Sequence, residues 1–427
     1  MTCDCGRSGR MDRRVFVRSG ALALVSLGLD PIFLTRAAFA NRSPAQPFNR
    51  PRTLICIFQR GAVDGLNMIV PHGDAAYYRE RPRIAVPPPG KDGGALDLDG
   101  TFGLHPALAP LLPLYRAGSL GIVHAVGSPD ATRSHFDAQD YMETGTPGRK
   151  GTEDGWMSRH LAHAADHRET PFRGVAIGPQ LPRALRGAAP ALAIGDLQAF
   201  GLRGRGPARD RIEAAFEEMY AGAATGLVAS SSAEAFEAVK MLRTADPARH
   251  QPGNGAEYPR SPFGQAMRQL AQLIKAGLGL EIGFADLGGW DTHVNQGAAQ
   301  GQLAARLRDL GAGLAAFATD LGERMADVLV LTMSEFGRTV AENGNAGTDH
   351  GHGTAMMVLG GGTRGGRVHG RWPTLDEGAR FEGRDLAVTT DFRALFGEIL
   401  EKHLGAGDLA SVFPGFEVAG GGLGVIG

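Results

Sequence analysis

Six short apolar runs constrain this chain more than any other feature. They are Thr53–Phe58, Leu120–Val126, Gly174–Ile177, Leu280–Phe284, Val328–Met333 and Ala355–Leu359. Most are rich in Val, Ile, Leu or Met and show little polar alternation, the pattern of strands buried on both faces. Amphipathic stretches with helical spacing lie between and after them: Pro106–Tyr115, Ser134–Met142, Asp210–Tyr220, Ala233–Leu242, Gln265–Ala276, Gln302–Met325 and Asp391–His403. Strands that alternate with helices predict an α/β fold, in three α/β/α layers around a mostly parallel sheet.

The N-terminus reads differently. Arg7, Arg10, Arg13, Arg14 and Arg18 form a basic head, Gly20 to Leu29 is apolar, and Ala38-Phe39-Ala40 is a small-x-small cleavage pattern. That order marks residues 1–40 as an export signal. The apolar stretch is shorter than the ~20 residues of a permanent membrane span. Asp12-Arg13-Arg14-Val15-Phe16-Val17-Arg18 resembles the twin-arginine signal, with Asp in place of the usual Ser or Thr, and Met11 is an alternative start. The expected destination is periplasmic or extracellular, with the twin-arginine translocation machinery as a partner. Residues 41–52 read as a linker and 53–427 as one α/β domain, with a helical insertion at 200–260.

Composition excludes some classes. The signal segment holds six Arg and three Asp, which leaves 38 basic and 42 acidic residues, a net charge of −4. Neither nucleic acid nor an anionic membrane suits that balance. Cys3 and Cys5 lie in the signal, so Cys56 remains alone in an apolar run and reads as a core residue.

In an open parallel sheet, ligands gather at the carboxyl ends of the strands. Asp64 follows the first run on a Gly-flanked turn, as a metal ligand or a helix cap. Ser134, after the second run, opens a helix as a nucleophile or as its cap. Asp291 and His293 follow the fourth run, a carboxylate and an imidazole that suit zinc, manganese or iron, or else a cap and an exposed His. Glu335 closes the fifth run, as a ligand or as an ion-pair partner of Arg338. Asp349, His350 and His352 stand among glycines just before the sixth run, a better metal loop than core.

Several longer segments carry a family resemblance. They are Arg60-Gly61-Ala62-Val63-Asp64-Gly65-Leu66-Asn67, Arg133-Ser134-His135-Phe136-Asp137-Ala138-Gln139, Gly289-Trp290-Asp291-Thr292-His293, Ser334-Glu335-Phe336-Gly337-Arg338-Thr339, Thr348-Asp349-His350-Gly351 and Thr390-Asp391-Phe392-Arg393. Across nearly the whole mature chain they resemble the twin-arginine-exported proteins grouped as domain of unknown function 1501. That family is remotely similar to the alkaline phosphatase and sulfatase superfamily. The resemblance implies an alkaline phosphatase-like fold, with Asp64 in the first metal-ligand place, Ser134 as nucleophile, and Asp291 with His293 in the third place. For the fourth place, strand order favours Ser334-Glu335, with Phe336 where a His belongs, over Asp349-His350. His350 or His352 then supplies the last imidazole, and His369 is a spare. The implied function is an exported metal-dependent hydrolase of phosphate or sulfate esters. It would use one or two divalent ions, zinc or manganese, with Arg60 or Arg133 holding the anion of a small-molecule or glycan ester. The alternative is a non-catalytic exported protein of the same fold that binds a glycan or protein partner.

Overall fold

The computed structural model describes residues 52–164, 170–197, 238, 240–242, 244–417 and 422–427. The export signal, nearly all of the linker, helix 210–220 and most of the expected insertion lie outside the described residues.

The six apolar runs all form strands of one nine-stranded sheet. In chain order its members are β1 (Thr53–Arg60), β2 (Leu120–Gly127), β3 (Gly174–Ile177), β4 (Ala191–Ile194), β5 (Ile282–Gly288), β6 (Val328–Met333), β7 (Thr354–Gly360), β8 (Val368–His369) and β9 (Thr390–Asp391). The order across the sheet is β8-β2-β7-β6-β1-β5-β3-β4, and β9 also pairs with β2. All pairings are parallel except those of β7, which runs antiparallel to both β2 and β6.

The reason the runs lack polar alternation is visible in the side chains. Ile55 and Ile57 of β1 enter one apolar cluster with Val175, Ala285, Val330 and Met357. Leu54, Cys56 and Phe58 enter a second cluster with Ala176, Phe284, Leu331 and Val358. Neighbouring residues of a strand point to opposite faces, and here helices cover both faces. On the first face lie α3 (Pro262–Ala276) and α4 (Gln302–Leu321). On the second lie α1 (His135–Thr144), α2 (Trp156–His163) and α5 (Phe392–Lys402). The result is a mixed α/β fold in three layers.

Helix limits follow local chemistry. Ser261 caps α3 with Pro262 in its first turn, and Gly277 ends it at φ 66°. The long stretch 302–325 breaks at Gly322, φ 52°, into α4 and a short 3-10 turn. Pro110 and Pro113 likewise split the expected helix at 106–115 into a 3-10 turn and one short α turn. Among the described residues no helix is long and apolar enough to cross a membrane.

Candidate metal centre

The site lies along one edge of the sheet, and β7 explains its make-up. The loops after β1, β2, β5 and β6 leave their strands at the carboxyl edge. Because β7 is antiparallel, the loop that precedes it reaches that same edge. His350 thereby meets residues that follow other strands.

His135, Asp291 and His350 offer ligand atoms that all lie within 4.8 Å of one another, and His293 approaches two of the three. His350 Nε2 lies 3.0 Å from His135 Nε2 and 3.0 Å from His293 Nε2. Asp291 Oδ1 lies 2.9 Å from His293 Nε2, 3.3 Å from His350 Nε2 and 3.6 Å from His135 Nε2. Around a four-coordinate ion with bonds near 2.0–2.1 Å, neighbouring ligand atoms sit roughly 3.3 Å apart. These five spacings bracket that value, while His293 stands outside the set of mutually close ligand atoms.

The far side of each ring sharpens the point. His135 Nδ1 is 2.8 Å from Glu335 Oε1, His293 Nδ1 is 2.9 Å from Asp349 Oδ1, and His350 Nδ1 is 2.9 Å from the Arg133 carbonyl oxygen. All three partners can only accept, so each Nδ1 carries the proton and donates. In a neutral imidazole the other nitrogen is then a lone pair. Three lone pairs and a carboxylate oxygen therefore face one another, an arrangement that repels itself unless a cation or a proton sits between them. Carboxylate and carbonyl partners behind metal-bound histidines serve this orienting purpose.

Each element contributes for a local reason. His135 is the first residue of α1, where capping by Ser134 fixes the backbone; Ser134 Oγ accepts from Asp137 N at 3.5 Å. Glu335 is fully buried at the end of β6. Its Oε1 accepts from Gly61 N, Gln139 Nε2 and His135 Nδ1 at 2.8, 2.9 and 2.8 Å. Burial raises the Glu335 carboxyl, but these donors outweigh it and hold the group below the usual carboxylate range. Phe336 packs beneath the rings of His135 and His350, with centroids 5.0 and 5.1 Å away.

Arg338 ties the loops together. Its buried guanidinium donates to the carbonyls of Gly61, Ala62, Trp290 and Thr348 and to Asp291 Oδ1 at 2.5 Å. Burial pushes the Asp291 carboxyl up, yet Arg338, His293 and His135 bring it to about 2. Glu335 draws the His135 imidazole upward, while burial lowers His350. The loops also touch backbone to backbone. A Cβ at Gly347 would collide with the His293 carbonyl, and one at Gly351 with the Arg338 carbonyl.

Other expected site residues stand elsewhere. Asp64 is fully buried, 2.7 Å from Arg81 Nη1 and 2.6 Å from Gln296 Nε2, and caps a short helical turn. It lies outside the cluster of mutually close ligand atoms, with Oδ2 held by a buried guanidinium and an amide and Oδ1 accepting from Asn67 N. It acts at one remove: Gln296 Oε1 accepts from the hydroxyls of Thr292, between Asp291 and His293, and of Thr348, two residues before His350. Glu335 and Asp349, expected as ligands, stand one bond behind the rings instead. His352 stands apart from the cluster and stacks on Phe381, ring centroids 4.3 Å apart, because the chain bends at this segment instead of running as a regular strand that would put His350 and His352 on one face. His369 is held by the Arg364 carbonyl. Ser134 takes the cap role. Arg60 is ion-paired to Asp286 and Glu143, and Arg133 to Glu382 and Asp385, so neither guanidinium is free for an anion. Burial pushes the Cys56 thiol up, which suits a core residue.

His135 and Gln296 escaped the sequence reading, and Arg338, read there as an ion-pair partner of Glu335, pairs with Asp291 instead. His135 had a usable signal, since it too follows a strand and opens a helix. The Arg338 and Gln296 contacts span loops distant in sequence and left no such signal.

An α/β fold of three layers with a His- and Asp-lined centre at the carboxyl edge defines the class. The chain belongs to the family described as protein of unknown function (DUF1501), whose pattern matches residues 51–403. A search of curated proteins finds no match. Among solved structures, one titled as the crystal structure of Ps i-CgsB in complex with k-i-k-neocarrahexaose is similar at a TM-score of 0.36 and 10% identity. That likeness covers 86% of this chain and 75% of the other.

Proposed function

We propose that this chain is an exported metal-dependent hydrolase of phosphate or sulfate esters, built around one divalent ion. The observation that carries the reading is the convergence of three imidazole Nε2 atoms and one carboxylate oxygen, each ring oriented from behind. His135, Asp291, His293 and His350 would hold the ion, and the mixed nitrogen and oxygen set suits zinc or manganese. Such an ion supplies a Lewis acid for an ester oxygen.

The chain's own residues do the positioning. Glu335, Asp349 and the Arg133 carbonyl keep the three Nε2 lone pairs inward, and Arg338 holds Asp291 ionised. Side-chain exposures of 45% at Asp291 and 38% at His293 leave the centre open to a substrate. The choice of phosphate or sulfate esters rests on the resemblance in strand-end order to the alkaline phosphatase and sulfatase superfamily, with an alkaline phosphatase-like arrangement of the layers. Ser134 is assigned no chemical step.

The test couples elemental analysis with hydrolysis of 4-nitrophenyl phosphate and 4-nitrophenyl sulfate. About one ion per chain with turnover, both lost in His350→Ala, supports the reading. A bound ion with no turnover on either ester refutes the hydrolase. Ser134→Ala should keep turnover within a few-fold; loss of turnover with the ion retained would make Ser134 the attacking group.

A second reading has its own observation. Four protein ligands can close a four-coordinate ion, as in structural sites, and Arg60 and Arg133 are both neutralised by carboxylates. On this reading the protein is a non-catalytic exported binder of a glycan or protein partner.

A further inference from the structure

Among the described residues only two large apolar side chains are exposed: Phe136 at 90% and Val294 at 49%. Each adjoins a residue of the metal centre, Phe136 beside His135 and Val294 beside His293. The rings of those two histidines meet through His350. Two exposed apolar groups could lie anywhere on this surface, yet both flank one site.

Nothing in the fold calls for Phe136. It is the second residue of α1, where the helix dipole and free amides favour an acidic or small polar side chain. The apolar packing of α1 is met by Ala138, Tyr141 and Met142, which are buried. An aromatic ring left in water costs solubility and gives the isolated chain no packing in return. Such rings are well suited to stacking on a ligand, with a large contact area and few torsions to freeze.

We infer that Phe136, assisted by Val294, forms an apolar subsite on the rim of the metal centre for a substrate whose ester is carried on a six-membered ring. The ring lays its apolar face on Phe136 while the ester reaches the four ligand residues. This assignment rests on the proposed hydrolase for its chemistry, and on the exposure of the two side chains for its location. An aryl ring and a sugar ring both offer such a face. Beside Phe136 on α1, the Asp137 carboxylate, whose Oδ2 pairs with the exposed Lys150, can accept from a hydroxyl of a sugar.

The experiment measures KM and kcat of wild type, Phe136→Ser, Phe136→Tyr and Val294→Ser. The substrates are 4-nitrophenyl phosphate and sulfate (aryl ring), glucose 6-phosphate and glucose 6-sulfate (sugar ring), and ethyl phosphate and ethyl sulfate (no ring). The ratio of KM on ring esters to KM on ethyl esters should rise about tenfold in Phe136→Ser, the effect of one lost stacked ring. Phe136→Tyr should restore it, and bound metal should stay the same throughout. The ring class with the larger shift identifies the substrate. An unchanged ratio would overturn the subsite. If ion-loaded wild type cleaves none of these esters, the hydrolase reading fails by itself. Calorimetric titration of 4-nitrophenyl sulfate and glucose 6-sulfate then decides the subsite: weaker binding by Phe136→Ser supports it, and equal or absent binding overturns it. A dimer that Phe136→Ser converts to a monomer, with no change in the KM ratio, would assign the ring to self-association instead.

Discussion

His135, His293 and His350 each present one nitrogen inward and one to an acceptor, and that division of labour is the core of the site. Removing a ligand and removing its support should therefore differ in degree. His135→Ala or His350→Ala is expected to abolish stoichiometric metal, read by elemental analysis after dialysis. Glu335→Gln and Asp349→Asn should retain the ion at 10- to 100-fold weaker affinity, roughly the cost of losing an outer-shell partner, measured by competition with a chelator. Equal loss in both sets would mean that Glu335 or Asp349 is itself a ligand. Asp64 belongs to another network, and Asp64→Ala should act on stability. It leaves the Arg81 charge buried and unpaired, which costs roughly 3–5 kcal/mol, visible as a lower midpoint in urea.

At the scale of elements, the six apolar strands were legible in the sequence, while β4, β8 and β9 and the loop contacts were not. A run such as Leu329-Val330-Leu331 has only one comfortable home, because both of its faces must be covered. The antiparallel sense of β7 was not legible, since an apolar run carries no direction. Yet that sense is what brings Asp349 and His350 to the carboxyl edge from the wrong end of their strand. The same gap hid the separation of Asp64 from the cluster. A Gly-flanked Asp at a strand end looks alike whether it meets a metal or the buried Arg81. The strand β2 also carries a buried imidazole. Burial lowers His124 to about 4, and His105, near the start of the adjoining 3-10 turn, also to about 4. Unfolded, both titrate near 6.5. The unfolded chain thus binds more protons between these values, so stability is full above about pH 6.5 and falls as pH drops toward 4. Each group contributes on the order of 3 kcal/mol. Thermal unfolding should show the melting temperature falling across that window, with a shallower slope in His124→Gln. An unchanged slope would place the acid sensitivity elsewhere.

For the whole molecule, the candidate metal centre joins loops from five strands. An ion that binds only the folded chain should raise its stability by about 2.7 kcal/mol at a hundredfold excess over Kd. A site assembled from distant segments exists only after folding. The measurement that bears most directly on this account is the metal content of the purified mature chain, with and without His350→Ala. About one equivalent of zinc or manganese in the wild type, absent from the variant, is the predicted result. A wild-type chain that takes up no divalent ion at neutral pH, or a His350→Ala chain that keeps its full equivalent, would contradict it.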